Sequence, residues 1–77
     1  MATRKIILTR EWQQVTDGTQ TETIQFPDTI EICNNPAKPG DDAPAMRFSP
    51  QIITITPPVK AWVRYRGAFD SVPLIIL

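Results

Sequence analysis

Residues 21–33 read TETIQFPDTIEIC and contain two short runs in which apolar and polar side chains alternate. In the first run, Ile24 and Phe26 are separated by a polar residue, and in the second run the same is true of Ile30 and Ile32. Alternation with a period of two is typical of a β-strand that buries one face. Because only a Pro-Asp turn separates the runs, they predict two adjacent antiparallel strands.

The same pattern continues outward from this segment in both directions. Further strand-like runs cover residues 4–9, 51–56, 59–66 and 72–77, and residues 12–16 either extend the first run or form a separate strand. Ile, Val and Thr supply 23 of the 77 residues, and β-branched side chains favour pleated strands. Six or seven short strands predict an all-β fold, a small antiparallel β-sandwich or barrel that forms one domain over residues 1–77.

The segments between the runs carry turn and loop signals. Asp17-Gly18 predicts a hairpin with a turn longer than two residues, and a helix is conceivable only just before it, over residues 9–15. Residues 34–50 form a proline-rich loop, which is long for so small a domain and therefore points to a function or to ordering by a partner. Within this loop, Met46 and Phe48 either belong to a short strand or fold as a lid onto the core.

The composition excludes several kinds of chemistry. The chain has no His and one Cys, so it lacks a histidine general base, an intramolecular disulfide and the usual ligand sets for zinc, haem or iron–sulfur clusters. We therefore predict a non-enzymatic protein with no catalytic, metal-binding or cofactor-binding residues. Cys33 is expected to be a half-buried strand residue. The net charge of zero argues against general binding of nucleic acid.

Neither an export signal nor a membrane span is expected from the sequence. The opening segment has only three consecutive apolar residues, at 6–8, and no stretch is long enough to cross a bilayer. We therefore expect synthesis in the cytoplasm and no membrane partner. A domain this small, without disulfides or metal, usually gains stability by oligomerisation, so a homo-oligomer is expected.

The strand over residues 59–66 presents a basic and aromatic face. Period two places Lys60, Trp62, Arg64 and Arg66 on one side of this strand. The face is typical of three different structures: an outer sheet face with Trp62 covered by its neighbours, a subunit interface, or a site that stacks the bases of single-stranded nucleic acid. The residues alone leave these alternatives open.

The last residues, 72–77, read VPLIIL and are uncharged. They form either a final strand buried within the domain or a strand that pairs with a neighbouring subunit, and Pro73 indicates a sheet edge or the start of a strand. The candidate interface residues are Lys60, Trp62, Arg64, Arg66, Leu74, Ile75, Ile76, Leu77, Met46 and Phe48.

Several segments resemble those of small virion structural proteins of tailed bacteriophages. The resembling elements are KIILT (5–9), Trp12 with VTDG (15–18), TIQF (23–26) with IEIC (30–33), and ITPPVKAWVR (55–64). The resemblance implies a non-enzymatic β protein of the head-decoration, head-fibre or tail type. It would bind viral capsid or tail proteins, often as a trimer, within a virion assembled after synthesis in the host cytoplasm. The alternative is a small β-barrel that binds single-stranded nucleic acid through Lys60, Trp62 and Arg64.

Overall fold

The computed structural model describes residues 2–77, which form two antiparallel four-stranded sheets. The strands are β1 (Arg4–Leu8), β2 (Gln13–Gln14), β3 (Glu22–Phe26), β4 (Ile30–Asn34), β5 (Met46–Phe48), β6 (Gln51–Ile55), β7 (Ala61–Tyr65) and β8 (Val72–Ile76). Sheet A has the order β1-β8-β3-β6 and sheet B the order β2-β7-β4-β5. The all-β prediction is confirmed, the architecture is a sandwich, and the strands number eight where six or seven were predicted.

The core lies between the sheets and is built from alternate side chains of the strands. Its largest fully buried side chains are Tyr65, Phe26, Leu8, Ile24, Ile30, Leu74, Ile76, Val63 and Thr16. The prediction that Ile24, Phe26 and Ile30 face inward is confirmed. Burial of each large apolar side chain stabilises the fold by roughly 1.5–3 kcal/mol, so this layer is the main source of stability. The buried Thr16 hydroxyl is satisfied, since it donates to the Val59 carbonyl and accepts from the Ala61 N–H.

Most connections cross from one sheet to the other, which corrects two predictions. Strands β3 and β4 do not pair, because the turn between them carries the chain from sheet A to sheet B. Similarly, the turn at Asp17-Gly18, where Gly18 has a φ of 94°, joins β2 of sheet B to β3 of sheet A and is not a hairpin. A crossing arch and a hairpin both leave apolar side chains facing one core, so alternation alone cannot distinguish them.

The C-terminal strand β8 is central in sheet A, between β1 and β3, so of the two alternatives that Pro73 indicated the sheet edge is wrong. Pro73 instead lies at the start of the strand, as the second residue of β8. Leu77 donates its N–H to the Thr23 carbonyl, and peptide groups alternate in direction along a strand. The nitrogen of Pro73 therefore points toward the β3 side of β8. However, β3 ends at Phe26 and its ladder with β8 stops at Ile75. Pro73 thus replaces an N–H that would have no partner in the ladder.

The proline-rich segment is partly strand and partly loop. Residues 46–48 form β5, which pairs with β4 so that Met46 lies opposite Ile32 and Phe48 opposite Ile30. This confirms the short-strand alternative for Met46 and Phe48. Residues 35–45 lie outside the strands, and their backbone contacts the outer face of sheet B. No helix is found within residues 2–77, including the segment 9–15.

Candidate interaction surfaces

The outer face of sheet B, called face B here, carries the basic and aromatic residues that the sequence indicated. Its central members are Glu31, Cys33, Trp62 and Arg64. The register places Trp62 beside Cys33 and Arg64 beside Glu31, so the prediction that Trp62 and Arg64 share a face is confirmed. Cys33 is buried rather than half-buried.

The loop over residues 35–45 covers face B and is fixed by three side chains. Trp62 donates its Nε1–H to the Asn35 carbonyl over 2.9 Å, and Trp12 donates to the Gly40 carbonyl over 3.0 Å. Arg64 donates to the Asp41 carbonyl over 2.9 Å. These bonds satisfy backbone carbonyls that the strands cannot reach, and each contributes on the order of 1 kcal/mol. The loop is therefore ordered by its own chain.

Arg64 is buried and neutralised within face B. Its Nε donates to Glu31 Oε1 over 2.8 Å, and its guanidinium lies 4.3 Å from the centre of the Trp12 ring. Arg47 and Arg66 also contact Glu31, each at 3.4 Å. Burial by itself would raise the pKa of Glu31, but the hydrogen bond and charge of Arg64, with Arg66 and Arg47, outweigh it and lower the pKa. Glu31 is thus the shared counter-ion of three arginines.

This geometry leaves few groups on face B for a ligand. Trp62 is half-buried and its N–H is taken by the loop, while Arg64 is only 6% exposed. Base stacking needs an open aromatic face, and phosphate binding needs an unpaired cation. Lys60 and Arg66 are exposed, but Arg66 shares the Glu31 carboxylate. Of the three residues on which the nucleic-acid alternative depends, Arg64 is therefore buried and paired with Glu31, whereas Lys60 is exposed and Trp62 is half-buried.

The outer face of sheet A, called face A here, is mostly exposed and carries both apolar and polar side chains. Its members on the four strands and at the chain end are Lys5, Ile7, Thr23, Gln25, Ile52, Thr54, Pro73, Ile75 and Leu77. Ile7 is 49% exposed, Ile52 62% and Leu77 74%. Several large apolar side chains exposed on the same sheet face favour a protein-binding surface. Neither Ile7 nor Ile52 is among the interface residues predicted from the sequence.

The candidate residues of the C-terminal strand divide between the core and face A. Leu74 and Ile76 are at most 1% exposed and pack in the core, so their proposed place in an interface is wrong. The reason is that β8 alternates, with Val72, Leu74 and Ile76 facing inward. Ile75 is half-buried and Leu77 exposed on face A, where both are available to a partner.

The two lateral sides of the sandwich differ. Between β1 and β2 the sheets are tied together, because Gln13 Nε2 donates to the Ile7 carbonyl over 2.7 Å. On the side of β5 and β6 lies an open apolar cleft of about 810 Å³, which the loop over residues 35–45 also lines. Met46, which is 68% exposed, and the half-buried Phe48 and Ile53 line this cleft. The candidates Met46 and Phe48 are thus accessible at an open side.

A second, polar cleft of about 550 Å³ lies between Arg10, Glu11, Asp41, Arg66 and Asp70. It contains charges of both signs. Within residues 2–77, no group of three His, Cys, Asp or Glu side chains could hold a metal ion. The same residues contain no helix long and apolar enough to cross a membrane.

No family model, no curated protein and no solved structure matches this chain.

Proposed function

We propose that the chain is a non-enzymatic structural protein of a phage virion, and that it binds capsid or tail proteins through face A. The observation that carries the proposal is the exposure of Ile7, Ile52 and Leu77 on the same outer face of sheet A. Water contact with these side chains is unfavourable by roughly 25 cal/mol per Å² of apolar surface, which a protein partner would relieve.

Two further observations support a role in assembly. The net charge is zero, so copies of the chain and a partner surface meet without long-range repulsion. The chain also has a small core and lacks both a disulfide and the usual residues for binding a structural metal ion. Such small domains usually gain stability from a partner. The resemblance of its segments to small tailed-phage virion proteins gives the class of assembly. It also implies that the chain is made in the host cytoplasm and then enters the virion.

The test is the amount of chain that particles retain. Phage encoding the chain is grown with either the parent sequence or the double variant Ile7→Glu/Leu77→Glu, and purified virions are quantified by mass spectrometry. Both substituted residues are exposed on face A, so the fold should survive. We expect at least tenfold less of the double variant on virions, because apolar anchors dominate protein interfaces.

Phe69→Glu is the matched control, since Phe69 is 71% exposed but lies in the turn between β7 and β8, outside the strands that form face A. It should be retained like the parent. Absence of the parent chain from virions would overturn the proposed location. Equal retention of the double variant would overturn the role of face A.

A further inference from the structure

The four edge strands of the sandwich differ in how well they are protected from pairing with another chain. Strand β1 carries Arg4 and Lys5, β2 has two residues, and β5 has three residues with Arg47 at its centre. Strand β6 has five residues, Gln51–Ile55, and no charge. Indeed, residues 48–59 contain no charged side chain. A full-length, uncharged edge is the kind that recruits another strand.

The hydrogen bonds of sheet A show which peptide groups of β6 are free. Because Thr23 accepts from Leu77, the peptide groups of Thr23 and Gln25 point toward β8. The groups of Glu22, Ile24 and Phe26 therefore point toward β6, where they meet their partners Ile55, Ile53 and Gln51. The N–H and C=O groups of Ile52 and Thr54 consequently point away from the sheet, at its free edge.

The same alternation can be checked at the opposite edge of sheet A. It assigns outward-pointing peptide groups to Lys5 and Ile7 of β1. The Ile7 carbonyl does point away from β8, since it accepts the side-chain hydrogen bond of Gln13. The outward direction of the Ile52 and Thr54 peptide groups follows from the same alternation along sheet A.

The free groups of β6 are arranged symmetrically about Ile53. If a second copy of β6 lies antiparallel to the first, Ile52 of each copy faces Thr54 of the other, and the two pairs exchange four hydrogen bonds. Ile53 then lies beside its counterpart on the inner side, where the open cleft offers Phe48 and Met46 as apolar contacts. On the outer side, the two copies of face A become one continuous eight-stranded surface.

We infer that a second copy of this chain pairs with β6 along its free edge and forms a two-fold symmetric dimer. The self-complementary register and the absence of charge over residues 48–59 favour an identical partner. A two-fold pairing gives dimers, whereas the resemblance implied trimers. The inference concerns an edge of sheet A and the proposed function concerns its face, so either can fail without the other.

The experiment is light scattering of the full chain over a concentration series, with the mass compared with the 8.7 kDa of one copy. The parent should reach twice that mass. The variant Thr54→Pro removes an edge N–H that β3 does not use, together with the exposed hydrogen bond between the Thr54 and Thr23 hydroxyls. It should weaken dimerisation about 100-fold while circular dichroism shows that the chain is still folded. Lys5→Pro is the matched control, since it removes an outward N–H from the other edge, and it should dimerise like the parent.

A second variant, Ile52→Lys, keeps every backbone group but introduces a charge at an exposed position of the edge, and it should also weaken dimerisation. A parent chain that stays monomeric at millimolar concentration, or that forms trimers, would overturn the inference. So would a folded Thr54→Pro chain that dimerises like the parent. The face A variant Ile7→Glu/Leu77→Glu leaves β6 intact and should remain dimeric, whatever its retention on virions.

Discussion

The two outer faces of the sandwich use their side chains in opposite ways. On the side of face B, Trp12, Trp62 and the buried Arg64 all donate hydrogen bonds to backbone carbonyls of the loop over residues 35–45. Face A carries aliphatic and polar side chains, and it leaves Ile7, Ile52 and Leu77 open to solvent. Trp62 and Arg64, the residues most typical of ligand recognition, thus form hydrogen bonds within the chain itself. The surface that is available to a partner is face A, whose residues form no recognisable sequence motif.

The largest expected effect that tests this comparison comes from Trp12→Ala. Trp12 is 4% exposed, stacks on Arg64 and holds the Gly40 carbonyl. Its truncation should lower the free energy of unfolding by about 3–5 kcal/mol, which brings a small domain close to unfolding. Urea unfolding measures the change.

The control for this substitution is Trp12→Phe. It retains an aromatic ring beside Arg64 but removes the N–H that binds the Gly40 carbonyl. We expect a loss of about 1 kcal/mol. A loss below about 1 kcal/mol for Trp12→Ala itself would show that the loop on face B adds little to the stability of the sandwich.

A smaller effect is expected from Glu31→Gln. The variant leaves Arg64 buried without its counter-ion and weakens a charged hydrogen bond of 2.8 Å, which should cost about 2–3 kcal/mol in thermal unfolding at neutral pH. Glu11→Gln is the matched control, because Glu11 pairs with Lys38 in full solvent exposure and should matter much less. Equal losses for the two variants would contradict a special role for the Glu31 cluster.

Glu31 also predicts that the free energy of unfolding falls at acid pH. Arg64 and its neighbours hold the pKa of Glu31 below the ordinary value of 4.5 despite burial, which acts in the opposite direction. A carboxylate with a lowered pKa in the folded state stabilises the fold fully above the unfolded value. This contribution is lost as the pH falls below 4.5 and through the folded-state pKa. The parent should therefore lose more stability than Glu31→Gln over that range.

The smallest effect on stability is expected on face A. Ile7→Ser changes a side chain that is half exposed and points away from the core. The free energy of unfolding should change by no more than about 0.5 kcal/mol, as measured by urea unfolding. A loss above about 1 kcal/mol would mean that face A is packed within the single chain, and the contrast between the two faces would disappear.

The sequence predicts inward and outward directions well. Alternation identified Ile24, Phe26 and Ile30 as core residues and placed Trp62 and Arg64 on a common outer face, and the structure has both. Direction depends on local backbone geometry, which a period of two describes directly. The choice between alternatives for Met46 and Phe48 needed the register with β4.

The pairing of the strands and the covering of face B by the loop could not be predicted from alternation. Whether β3 pairs with β4 depends on the path of a three-residue turn, and the central place of β8 depends on where β3 ends. The covering of Trp62 by the loop depends on its hydrogen bond to the Asn35 carbonyl, and no pattern of side chains in the sequence predicts that bond. Ile7 and Ile52 were missed because single apolar residues of separate strands become a surface only once the strand order is known.

The crossing connections also bear on how the chain is made. Strand β1 pairs with β8, β2 with β7, β3 with β6 and β8, and β4 with β5 and β7, so no two strands among residues 4–34 pair with each other. During translation, the segment that leaves the ribosome first therefore has no ladder to join until residues from 46 onward follow it. Loop closure over such long separations is slow, and folding is expected to begin late and to be all-or-none. Until then, the emerging strands remain available to other nascent chains.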